Sequence, residues 1–158
     1  MSPPLLKDLG KEKCDAQSYY DAAKIANGEE WIAKFKKAAG LGHPEALDKY
    51  AYWLKSGSNY YIGKNLEESF YFYYFLASSE KPNKDAVFQI GEFYLNGFFV
   101  EKDLNEAKEW FNKAEKLGSP MAQSRIKEID KLEENPGGLE NPVLANGGLV
   151  VKGRNMGK

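Results

Sequence analysis

The sequence predicts an all-α fold, an α-solenoid of antiparallel helix pairs with about seven helices. Three observations predict it. A stretch of the chain recurs, with Ala46, Ala86 and Ala122 spaced by 40 and 36 residues. Within each copy, apolar residues fall at helical spacing. Glycines and small polar residues mark helix ends at the same points of each copy.

The first unit, about residues 16–45, is a partial copy. In KFKKAAGLGHPEA, the residues Phe35, Ala38, Gly42, Pro44 and Ala46 lie 76 positions before Phe111, Ala114, Gly118, Pro120 and Ala122. The second unit, about 46–85, carries extra residues after Gly57 and after Leu76, between anchors that stay aligned, as a stacked helical unit permits. Asn65 is placed to cap its second helix, with Glu68 three residues on to close a capping box. The third unit, 86–121, opens with the stripe Ala86, Val87, Ile90, Phe93 and Tyr94, and Asn96-Gly97 ends that helix. Asp103 and Glu106 repeat the capping pair, and Ala107, Trp110, Phe111 and Ala114 form the second stripe. Ser119-Pro120, like His43-Pro44 earlier, reads as a cap followed by Pro at the first helical position. Ala51 and Gly91 match in position, as do Ser69 and Ala107, and such small residues let helices approach closely.

A capping helix is expected over 119–134, with Ala122, Ile126 and Ile129 facing inward and charges outward, closing a repeat domain of residues 1–134. Residues 135–158 change in composition. They hold Asn135-Pro136-Gly137-Gly138 and Gly147-Gly148, and read as a flexible, disordered C-terminal tail with Leu149-Val150-Val151 as its apolar segment.

The pattern Ala86, Ile90, Gly91, Tyr94, Gly97, Val100, Asp103, Ala107, Trp110, Phe111, Lys113, Ala114 and Gly118 resembles the Sel-1-like repeat, a relative of the tetratricopeptide repeat. The resemblance implies a non-catalytic adaptor or scaffold that holds another protein or peptide, in a bacterial regulatory or host-interaction setting. It also implies a concave binding side formed by the first helix of each unit. The residues off the apolar stripe there are Asp48, Lys49, Tyr52 and Lys55, then Phe88, Gln89, Glu92 and Leu95. A cysteine-rich branch of the family has been ascribed hydrolase activity on β-lactam or cell-wall-type substrates. That branch places a disulfide across each repeat, whereas this chain has one cysteine, Cys14.

Composition bounds the remaining functions. The chain has 158 residues, 22 basic and 23 acidic side chains and a net charge of −1, which gives no electrostatic case for nucleic acid or an anionic membrane. No transmembrane run or leader-like segment is evident, so a cytoplasmic place is expected, with export by a signal-independent route as the alternative. One histidine, His43, and one cysteine make neither a zinc site nor a disulfide framework, and no cofactor is expected. His43 reads as a helix cap or surface residue. Paired acids such as Glu29-Glu30 and Glu67-Glu68 suit solvated faces or first helical turns.

The anomaly is the run Phe70-Tyr71-Phe72-Tyr73-Tyr74-Phe75. A shift of 38 matches Ser69, Phe72, Tyr73 and Leu76 to the core positions Ala107, Trp110, Phe111 and Ala114. Phe70, Tyr71, Tyr74 and Phe75 match Lys108, Glu109, Asn112 and Lys113, which are polar. Those four rings are therefore expected together on the outer side, as a partner or self-association surface. The alternative is that the loop 58–62, the segment around Leu5-Leu6, or Leu149–Val151 covers them.

Overall fold

The computed structural model describes residues 13–139. The expected domain start, Leu5-Leu6, Gly147-Gly148, Leu149–Val151 and the tail beyond residue 139 lie outside the described residues. Seven α-helices follow one another: α1 Lys13–Ile25, α2 Glu30–Gly40, α3 Pro44–Ser56, α4 Leu66–Ala77, α5 Lys84–Asn96, α6 Leu104–Lys116 and α7 Ala122–Glu134, then a short 3₁₀ turn at Pro136–Leu139. No strand occurs among the described residues. Each helix packs chiefly on its neighbours in sequence, which is the one-dimensional logic of a solenoid.

The expected stripes are buried, except that Tyr94 at the end of the α5 stripe is half-buried. Ser69, Phe72, Tyr73 and Leu76 on α4, Ala107, Trp110, Phe111 and Ala114 on α6, and Ala122, Ile126 and Ile129 on α7 all lie in the core. The small residues set the spacing within pairs. At Gly91 an added Cβ would stand 2.6 Å from Phe111 Cε1, so the α5 backbone lies directly against a fully buried ring. Between α3 and α4, Ser69 Oγ donates to the Ala51 carbonyl at 2.7 Å. Gly57 and Gly97 end α3 and α5 at φ 70, the left-handed conformation that favours glycine.

Asn65 and Asp103 cap as expected, accepting from Glu68 N–H at 3.0 Å and Glu106 N–H at 2.9 Å. The reciprocal halves of the capping boxes are not made. The Asn65 and Asp103 N–H groups instead donate to carbonyls of the preceding helix, Leu54 at 2.8 Å and Tyr94 at 3.0 Å, and Glu106 accepts from Trp110 Nε1 at 3.0 Å. These caps thereby pin each inter-helix loop to the helix before it.

The expected start of α7 needs correction. His43 caps α3 with Pro44 at the first position, whereas α7 begins at Ala122 with no side-chain cap. The chain still turns in the same way at both places. His43 N–H donates to the Ala38 carbonyl at 3.0 Å and Ser119 N–H to the Ala114 carbonyl at 2.9 Å.

The seams between units change in chemistry along the chain. Trp31, Phe35 and Trp53 join the first pair to the second, with ring centroids 5.1–5.9 Å apart. Phe70 on Phe93, at 5.3 Å, joins the second to the third. The last seam is partly ionic, with Lys108 reaching Asp130 at 2.6 Å and Glu133 at 3.1 Å.

Candidate functional site

The aromatic face of α4 divides in two. Tyr74 and Phe75 stay exposed, at 45% and 39% of their surface. Tyr71 is half-buried, and Phe70 is buried at 7%. The expectation of four outward rings is therefore corrected at Phe70. It packs on Phe93 at 5.3 Å, Tyr94 at 6.2 Å and Phe99 at 5.6 Å, all from the next unit. The physical reason lies in its counterpart. Lys108 also faces the following helix, where it meets the carboxylates of the charged cap. Polarity at that position reported the character of the neighbour and not exposure to water.

The cover over Phe70 and Tyr71 is Phe99, which also stands 5.8 Å from Tyr71. The loop 58–62 does not provide it: Ile62 enters the core while Tyr60 and Tyr61 remain exposed. Phe99 holds φ at 62, unusual for a bulky residue, and the Val100 N–H closes a tight turn onto the Phe98 carbonyl at 2.6 Å. Its contacts with Phe70 and Tyr71 help hold that conformation. The sequence signal was present in two adjacent phenylalanines where a loop is ordinarily polar. Tyr74 also meets the buried Trp110 ring of α6 at 5.9 Å, so its exposed ring rests against the core of the third unit.

The surface of the first helices is built from α3, α5 and α7. Lys49 and Tyr52 are exposed, Asp48, Lys55, Gln89 and Glu92 are half-buried, and Phe88 is buried. Phe88 is the second correction. Its ring packs 5.1 Å from Phe111, because α6 crosses close beneath the glycine at position 91, and it does not line a groove. Leu95 is likewise buried. The remaining residues form a polar ladder across helices. Lys55 Nζ donates to Gln89 Oε1 at 2.5 Å and lies over the Phe93 and Phe98 rings, at 5.5 and 5.9 Å from their centroids. Burial holds its ammonium below the usual lysine range. Arg125 Nε and Nη2 clasp the two Glu92 oxygens at 2.6 and 3.1 Å, and Nη1 reaches Glu128 at 3.0 Å. Arg125 escaped the sequence reading because it sits on the cap helix, beyond the repeats that suggested the groove.

Two hollows open on this surface. One, of about 200 Å³, is lined by Tyr52, Lys55, Gln89 and Phe98 among others. The other, about 320 Å³, is lined by Tyr20, Glu45, Asp48 and Lys49 among others. Burial, with Asp85 nearby, raises the Asp48 carboxyl above its ordinary value. The arrangement offers aromatic contact and paired hydrogen-bonding groups. It suits recognition of a polypeptide surface.

A larger pocket, about 520 Å³, lies where α1, the start of α3 and the α4–α5 connection meet. Phe75 and Leu76 form one wall, Gln17 and His43 another. His43 is buried and linked on every side. Its Nδ1 accepts from the Ala46 N–H at 3.3 Å, Nε2 meets Gln17 Oε1 at 3.0 Å, and the ring stacks on Tyr20 at 4.1 Å with an 18° tilt. The expected cap is present, but the residue is not a surface one. No described helix is long and apolar enough to cross a membrane.

Comparison with known proteins agrees with this architecture. The Sel1 repeat matches at residues 44–79 and 84–119, which are the pairs α3–α4 and α5–α6. A crystal structure of a Sel1 repeat protein from Oxalobacter formigenes superposes with a TM-score of 0.63 at 26% sequence identity, over 78% of this chain and 97% of that one. No curated protein matches the chain. Residues 44–119 thus carry two tandem Sel1 repeats, falling on consecutive helix pairs whose stacking is similar to that of a solved Sel1 repeat structure.

Proposed function

We propose that this chain is a non-catalytic adaptor that holds a protein or peptide partner, with Tyr71, Tyr74 and Phe75 as its principal contact surface. Sel1 repeats are generally protein-interaction modules, and proteins built from them are usually non-catalytic. The observation that carries the reading is the exposure of Tyr74 and Phe75 side by side on a helix whose remaining aromatic residues are buried or half-buried. Tyr and Phe give large contact area for few ordered torsions, and they concentrate at interface centres. Asp48, Lys49, Tyr52, Lys55, Gln89 and Glu92 supply a second, more polar surface for the same partner or another.

The test is capture from the cells that make the protein, using the parent chain and two variants. Tyr74→Lys/Phe75→Lys alters the aromatic face, and Lys49→Glu/Tyr52→Ala alters the polar one. Both should fold as the parent does by circular dichroism. The reading expects the aromatic variant to lose a protein that the parent retains. Equal retention by all three would remove the aromatic face from the account. Light scattering over a concentration series separates out self-association: a parent dimer dissolved by the same pair of lysines would make a second copy the partner.

A further inference from the structure

We propose that His43 is an acid-sensitive latch, holding α1 against the start of α3 while its ring is neutral and releasing it on protonation. A backbone N–H can only donate, so the Ala46 bond requires a lone pair on Nδ1. The ring proton therefore sits on Nε2 and is donated to Gln17 Oε1. One neutral tautomer thus satisfies an α1 side chain and an α3 backbone group while stacking on Tyr20 of α1. A second proton must go to Nδ1, the atom already in use. It would set N–H against N–H at the positive end of the α3 dipole and remove the side-chain cap of that helix.

The surrounding charges do not rescue the protonated ring. Burial is the largest influence and disfavours the cation. Glu45 of α3 and Asp21 of α1 draw a proton toward the ring, and Lys24 of α1 repels it. Lys81, from the α4–α5 connection, is the charged residue lining the same pocket, and the end of α2 brings only uncharged Leu41 and Gly42 there. The balance leaves His43 below its ordinary value. The sign follows from linkage. The latch holds fully above about pH 6.5, the unfolded histidine value, and is lost as pH falls through the lower folded value.

The effect is local, because α1 otherwise packs chiefly on α2, whereas Gln17 and Tyr20 tie it to α3 through this ring. Release would bare Tyr20 and widen the 520 Å³ pocket that Phe75 walls. Acid would thereby enlarge the aromatic surface.

His43 is the single histidine, so its C2 proton is an unambiguous probe by nuclear magnetic resonance. The titration midpoint should lie below pH 6.5. Through that midpoint the hydrogen-exchange protection factors of α1 amides should fall, by at most about tenfold per pH unit for one proton taken up. Those of α6 should hold. His43→Asn, which keeps a capping side chain that does not titrate, should show no such pH response in α1. Should that variant not fold, the contrast between α1 and α6 in the parent decides the matter. A midpoint at or above 6.5, α1 protection unchanged through the midpoint, or an equal response in the Asn variant would each overturn the latch.

Discussion

Adding one methyl group at Gly91 tests the packing that defines the third repeat. Helix propensity alone favours Gly91→Ala in the interior of α5, by about 1 kcal/mol. The structure demands the opposite sign. The new Cβ would stand 2.6, 2.8 and 2.9 Å from Cε1, Cδ1 and Cζ of Phe111, about 1 Å inside normal carbon contact. That ring has no exposed surface and lies against Phe88, so it has nowhere to turn and α6 must shift. Overpacking of this kind costs about 1–3 kcal/mol. After the propensity gain, a net loss of up to about 2 kcal/mol is expected, or up to about 8 °C in midpoint for a chain of this size. Urea unfolding followed by circular dichroism measures it. Phe111→Leu opens room beside the new methyl, so its cost should be smaller by at least about 0.5 kcal/mol when Gly91→Ala is present. A Gly91→Ala chain as stable as the parent, with additive double-variant energies, would refute the close approach.

Phe70→Ala should cost about 3–5 kcal/mol by urea unfolding, the range for a buried ring, because three rings of the next unit rest on it. Loss of partner capture with unchanged stability would instead return Phe70 to the surface. Arg125→Gln should cost about 0.5–1 kcal/mol, toward the upper end for an ion pair because the Glu92 side chain is 13% exposed. Repeating the unfolding at 1 M salt should shrink the difference, and a cost independent of salt would mean that Arg125 acts by packing alone.

The sequence was most informative where local rules and the repeat agreed. The stripes Ala107, Trp110, Phe111, Ala114 and Ala122, Ile126, Ile129 needed only helical spacing, and Asn65 and Asp103 needed only their place before a stripe. The site was less legible. Phe70 and Phe88 both sat off the expected core stripe, yet each is buried by a side chain from elsewhere in the chain, Phe99 of the α5–α6 connection and Phe111 of α6 respectively. His43 could be read as a cap, but not as the joint between α1 and α3, since Gln17 lies 26 residues away.

What the residues determined unaided was the number of helices, where they stop and which face of each is apolar, because periodicity and end signals act within one or two turns. Which aromatic residues remain for a partner was decided only by tertiary structure. Burial of Phe70 depends on what the neighbouring unit places opposite it, aromatic rings there and carboxylates opposite Lys108. A position inside one repeat carries no record of that neighbour.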